Sequence, residues 1–144
     1  MKQLPFLVVL LGLLHYSCNR TNIVVPETLA GNWRMTLIRV NATGSITTKP
    51  PTITGEVEIT FTPESTTTGS FIGRTPTNDI LKNDYSTGAN QSISIPVLSM
   101  TKVAETSWGN EFVDNIRSSQ EYSFENCYTL KIITANKTLT FKKR

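Results

Sequence analysis

One histidine, two cysteines and a charged fraction of 17% are what this 144-residue chain has little of. The histidine, His15, falls inside an apolar leader, so the chain that remains after the leader is removed carries no imidazole. That excludes Ser-His-Asp and Cys-His catalysis and every His-ligated metal site. The cysteines, Cys18 and Cys127, lie too far apart in sequence to form a C-x-x-C redox pair, and two thiols do not make a cysteine zinc centre. A Gly-rich phosphate loop is also missing, because Gly69 and Gly73 sit in a strand-like stretch with no helix after it. No cofactor or metal is expected.

The net charge of +3 includes Lys2, and much of the rest sits in Lys142, Lys143 and Arg144 at the chain end. Nucleic-acid binding needs a basic face and, for single strands, aromatic platforms beside it. The terminal cations read instead as a solvated chain end that aids solubility, and no nucleic-acid partner is expected. Abundant Ser, Thr and Asn fit a secreted β protein, and the length fits one domain with one core.

What is present at the start sets the compartment. Lys2 precedes the run Leu4 to Leu14, which is too short to span a bilayer and of the right length for a signal-peptide core. His15-Tyr16-Ser17-Cys18 then resembles the lipobox of bacterial lipoproteins, in which a small residue precedes a cysteine that is diacylated and becomes the new N-terminus. The resemblance implies a signal peptide over 1–17 and lipid attachment at Cys18, and Asn19 after the cysteine points to the outer membrane. Each buried acyl methylene contributes about 0.8 kcal/mol, so two chains anchor the protein with no apolar patch on its surface. Residues 18–27, with Pro26, read as a tether reaching roughly 30 Å when extended. The domain covers 28–144. With Cys18 acylated, Cys127 reads as a buried small apolar residue.

The rest of the pattern is mostly β. Asn32 to Val40 alternates with Trp33, Met35, Leu37 and Arg39 on one face, followed by turn residues Asn41 to Gly44. Val57, Ile59 and Phe61 alternate with Glu56, Glu58 and Thr60, and Thr67 to Thr75 returns through Gly69, Phe71 and Gly73, where a bulge is expected. Pro76 to Ser86 reads as a loop anchored by Tyr85; Ser92 to Val97 and Met100 to Ala104 read as strands. Trp108, Phe112 and Ile116 recur every four residues, predicting a helix over 110–119 capped by Ser107 or Asn110. A meander closes the chain through Tyr122 and Phe124, then Tyr128, Leu130 and Ile132, then Leu139 and Phe141. Seven to nine short strands and one helix predict a small antiparallel β-barrel, or a strongly curled sheet, with the helix packed on it.

Five acids are candidates for a carboxylate-dependent hydrolase: Glu56, Glu58, Asp79, Asp84 and Asp114. Such chemistry requires two of them to converge in one cleft with one pKa displaced. Alternation places Glu56 and Glu58 opposite the apolar Val57, Ile59 and Phe61, on a solvated outer face. A non-enzyme is the expectation.

The order of elements resembles the META-domain, or HslJ-like, family of small bacterial envelope proteins and lipoproteins. The residues that carry the resemblance are Leu29-x-Gly31-x-Trp33, Gly69 and Gly73, Asn78 to Tyr85, Ser99 to Lys102 before a helix with Phe112 and Ile116, Tyr122, Leu130-x-Ile132 and Leu139-x-Phe141. Many members carry Gly-Cys-Asn in the central segment and a second cysteine, whereas this chain has Gly73-Arg-Thr-Pro-Thr-Asn78 and Val103-Ala-Glu, so that disulfide is absent. The resemblance implies a structural, stress-related or protein-binding role in the envelope with no catalytic residues. Gly31-Asn32-Trp33 also looks like the first-strand motif of lipocalins, which would imply a carrier of a small hydrophobic ligand. Met35, Leu37, Ile59, Phe61, Phe71, Trp108, Phe112 and Phe124 are bulky enough to fill a small barrel and favour a packed interior.

Overall fold

The computed structural model describes residues 28–144; the leader, the lipobox and the tether lie outside the described residues. Nine strands and one α-helix follow in order: β1 (Gly31–Val40), β2 (Ile46–Thr48), β3 (Glu58–Pro63), β4 (Thr68–Arg74), β5 (Asp79–Thr87), β6 (Ile93–Ser94), α1 (Ser107–Ile116), β7 (Glu121–Asn126), β8 (Thr129–Ile133) and β9 (Lys137–Lys143). They form one antiparallel sheet in the order β6-β5-β4-β3-β1-β9-β8-β7, with β2 beside the second half of β1. A bridge between Ser92 and Glu121, and a 2.9 Å bond from the Ile93 N–H to the Gln120 carbonyl, bring the two end strands together. The result is the small, nearly closed antiparallel barrel that the strand pattern predicts.

Local departures from alternation decide which side chains enter the barrel. In β1 the register with β9 shifts between Met35 and Leu37, so Thr36 is the extra residue of a bulge. Trp33, Met35 and Ile38 are buried, whereas Leu37 and Arg39, expected on the inner face, turn outward. The register of β4 with β5 shifts between Phe71 and Gly73, but the extra residue lies on β5, where Leu81 and Lys82 stand against Ile72, so the bulge expected in the glycine-bearing strand sits in its neighbour. Gly73 is glycine for a different reason, because a Cβ there would run into the backbone of Glu58 and Ile59 on β3.

Residues 79–87 form a strand where a loop is expected. The interior positions of β5 are Ile80, Asn83 and Tyr85, and the polar Asn83 hides the pattern. Asn83 is buried at no cost in unmade bonds: its Nδ2 donates to the carbonyls of Leu81 (2.7 Å) and Ser99 (3.1 Å), and its Oδ1 accepts from the Ser99 N–H. The segment around Met100, expected as a strand, makes one bridge to Ile80 and two backbone bonds, Leu81 to Ser99 and Thr101 to Asp79. It covers the free edge of β5. The strand expected over 92–97 shrinks to β6, with Ile93 and Ile95 buried and Val97 exposed.

Helix α1 starts three residues earlier than its apolar stripe predicts. Its N-cap is Thr106, whose Oγ1 accepts from the Gly109 N–H at 3.1 Å; neither Ser107 nor Asn110 does this work. Trp108, Phe112 and Ile116 all point into the core as expected, and Phe112 meets Phe141 edge-on at 6.5 Å. Trp33 Nε1 donates to the Leu29 carbonyl at 2.8 Å, tying the entry of the domain to the barrel interior. The C-terminal meander matches its prediction except that Tyr128 lies exposed in the β7–β8 turn.

Candidate functional site

The barrel axis is occupied by protein. Trp33, Phe71, Trp108, Phe112, Phe141 and Met35 are the largest side chains that are fully buried. Phe61 fills the space between Phe71 (5.5 Å) and Tyr85 (5.1 Å, edge-on), and Phe124 reaches Trp33 at 5.9 Å from the half-buried β7. Burying each such ring stabilises the fold by roughly 1.5–3 kcal/mol, and ligand-holding barrels forgo part of that gain.

The five candidate carboxylates do not share a cleft. Glu56 forms an ion pair with Lys49 at 2.8 Å. Glu58, expected on a solvated face, is instead 7% exposed, because arginines cover it: Arg74 binds its Oε2 through Nε (3.0 Å) and Nη2 (2.8 Å), and Arg144 binds its Oε1. Asp79 is the register partner of Arg74 across β4 and β5, and Arg74 in turn faces Glu58 on β3, so a strand separates the two acids. Asp84 lies further along β5 opposite Ser70, and Asp114 lies on α1. Among the described residues no group of three or more His, Cys, Asp or Glu is arranged to hold a metal ion.

An acid that sequence reasoning passed over has the most developed surroundings. Glu105 precedes the N-cap of α1 and accepts hydrogen bonds from Thr75 Oγ1, Asn78 Nδ2 (2.9 Å), the Thr106 N–H (2.8 Å) and Thr106 Oγ1 (3.2 Å). Burial pushes its pKa up, but the bonds from Thr75, Asn78, the Thr106 backbone and Thr77 outweigh burial and hold it below the ordinary carboxylate range. Asn78 continues the network by accepting from Thr101 Oγ1 (3.1 Å) and the Val103 N–H (2.7 Å). Every partner is a neutral donor from the chain itself, so the network fixes the 75–78 turn and the 99–106 segment to the helix. The only sequence sign was the Glu-Thr pair just before the apolar stripe.

Two concave surfaces open outward. One groove, about 370 Å³, lies on the outer face of β1, β9, β8 and β7 with β2 as its wall; Leu37, Ile46 and Ile133 give it apolar patches, and Arg39, Lys131 and Glu125 edge it. Leu37 is there because of the β1 bulge, and Ile46 is 62% exposed. A second depression, about 350 Å³, is lined by Glu64, Asp84, Tyr85 and Pro96 among others. Burial first, then the nearby Tyr122 and Glu64, push the Tyr85 phenol above its usual value, so it stays protonated and serves packing.

Cys18 lies outside the described residues. Cys127 does not match its expectation as a buried small apolar thiol: it is half-buried in the β7–β8 turn and is disulfide-bonded.

No model of a known protein family matches this chain, and no curated protein matches it. Two solved structures share its fold. A DUF4847 family protein from Bacteroides vulgatus ATCC 8482 is 16% identical, with a TM-score of 0.59 over 80% of this chain and 93% of that one. A protein from Burkholderia xenovorans, solved by NMR, is 15% identical, with a TM-score of 0.57 over 79% of this chain and 81% of that one. At these identities the likeness is one of fold.

Proposed function

We propose that the chain is a lipid-anchored envelope protein of the META/HslJ-like kind, tethered through Cys18, whose barrel works by contacts on its outside. It carries no cargo and catalyses no reaction. The observation that carries this reading is the filled axis, from Trp33 through Phe71 to Phe112, together with candidate acids that are neutralised or dispersed. Concave surface is found on the outer wall. The engaged sulfur of Cys127 fits export, since disulfides persist in oxidising compartments, but it does not favour the lipid, because Cys18 is the one other cysteine of the chain.

The chain's only cysteines are Cys18 and Cys127. A thioether to lipid at Cys18 and an intrachain Cys18–Cys127 disulfide therefore exclude each other, and one measurement separates them. Intact mass of the mature protein from membranes is expected to carry a diacylglyceryl increment that Cys18→Ser removes. A soluble protein lighter by two hydrogens than its reduced form would overturn the lipid anchor and leave an exported, disulfide-closed barrel. Organic extraction of the purified protein is expected to yield no stoichiometric ligand; a copurifying hydrophobic molecule would revive the lipocalin-like carrier reading.

A further inference from the structure

The cations that read from sequence as a loose chain end are built into the sheet. Lys142 and Lys143 close β9, and the Arg144 N–H donates to the Asn32 carbonyl at 3.0 Å. Strand register then lines charges up across the wall: Arg74 faces Glu58, Glu58 faces Arg34, and Arg34 faces Lys142. Arg144 reaches the same Glu58. Neighbouring strands lie about 4.8 Å apart, so the row is one continuous strip of Arg74, Glu58, Arg34 and Lys142, in which the single carboxylate binds Arg74 and Arg144 and the Lys142 ammonium donates to Thr129 Oγ1 at 2.6 Å. Phe141 is buried, so alternation turns Lys142 outward, and the side chains of Arg74 and Arg144 are 55% and 48% exposed. The cationic excess survives Glu58.

Along the chain the strip is also near the entry of the domain. Leu29 is buried at the barrel base, and Arg34 follows Thr28 by six residues, at most roughly 20 Å along extended chain. That span, added to the reach of residues 18–27, lets this wall come to the surface to which Cys18 is attached. The same outer face carries the exposed Ile46 and the outward Leu37 beside Arg39, giving it apolar groups among its cations.

We propose that this wall, β4-β3-β1-β9, is the membrane-facing surface of the domain and binds the phosphates of anionic lipid headgroups. Its geometry rests on the lipid-anchored reading. Guanidinium groups match phosphate oxygens two at a time, and a tethered site needs little intrinsic affinity because its local lipid concentration is high.

The test uses the mature chain carrying Cys18→Ser, mixed with phosphatidylcholine vesicles with or without phosphatidylglycerol. Binding is expected only with phosphatidylglycerol, weakening as salt is raised. Lys142→Gln and Arg34→Gln should each lose about fivefold in partitioning, Lys142→Arg should retain it, and Lys82→Gln on β5 should leave it unchanged. Equal binding to both vesicle types, or full binding by Lys142→Gln and Arg34→Gln, overturns the proposal. Because the assayed protein has no lipid, such a failure leaves the anchor at Cys18 standing, whereas a missing acyl mass on the wild type removes the anchor without touching this assay.

Discussion

Replacing Gly109 by alanine should destabilise the domain although it improves a helix. Gly109 sits in the first turn of α1, where alanine is intrinsically better by up to about 1 kcal/mol. A Cβ at this position would collide with the Glu105 side chain, whose Cγ would lie only 2.7 Å away and whose carboxyl would be closer still. The carboxylate would have to leave its site, and Asn78 Nδ2, Thr75 Oγ1 and the Thr106 N–H would lose their acceptor. Each abandoned donor costs roughly 1–3 kcal/mol when fully buried, and less here because water reaches this rim, so about 2 kcal/mol is a fair total. The expected net effect is about 1 kcal/mol of destabilisation, measured by urea unfolding followed through the buried Trp33 and Trp108. The decisive comparison is Gly109→Ala in a Glu105→Ala background, where no carboxylate remains to be displaced and the same substitution should stabilise. Equal effects of Gly109→Ala in the two backgrounds would refute the argument.

Glu105 also sets an acid sensitivity. Its folded pKa lies below the unfolded value of about 4.5, so its contribution is complete above that value and is lost as pH falls through the lower folded one. Wild type should therefore lose stability more steeply than Glu105→Gln below about pH 4.5, and parallel acid melting curves would show the network to be unimportant. Trp33→Phe removes the bond to the buried Leu29 carbonyl and should cost about 2 kcal/mol in the same urea assay; a loss under 0.5 kcal/mol, within the ~0.5 kcal/mol scatter of neutral surface changes, would mean that the carbonyl finds another donor.

The barrel was legible in the sequence because most strands keep one polar face. Val57, Ile59 and Phe61, or Leu130 and Ile132, alternate cleanly and are all buried. Legibility failed where a bulge or a polar interior residue broke the period. One extra residue at Thr36 exchanges Leu37 for Ile38 on the inner face, and nothing in the composition of Met35-Thr-Leu-Ile38 marks it. In β5 the side chain that enters the core between Ile80 and Tyr85 is Asn83, whose burial depends on Ser99, a residue far along the chain. The helix began early for a similar reason, since the capping oxygen came from Thr106, just outside the apolar stripe. Residue pattern records local preference, whereas the β1 bulge follows from pairing with β9, far along the chain, and the burial of Asn83 from Ser99; the early helix start is local, set by a cap that carries no apolar signal.

The charges show the same limit from the functional side. Counted along the chain, Arg34, Arg74 and Lys142 are unrelated, and Glu58 belongs to a regular polar face. Only the register of three strand pairs places them in one row, and it does so with a carboxylate at the centre that two arginines shield from water. Burying Glu58 in this way fixes both arginines in place while leaving their outer edges exposed, so the row is preorganised for an anion at no further cost in side-chain entropy. If the row served stability alone, Glu58→Gln would weaken folding and leave vesicle binding alone. If it serves the bilayer, the same substitution removes the competing negative charge and should tighten binding to phosphatidylglycerol by about fivefold, while loosening the fold by roughly 1–3 kcal/mol. The two readouts moving in opposite directions is the signature of a row that faces lipid, and unchanged or weaker vesicle binding by folded Glu58→Gln would assign it to the fold instead.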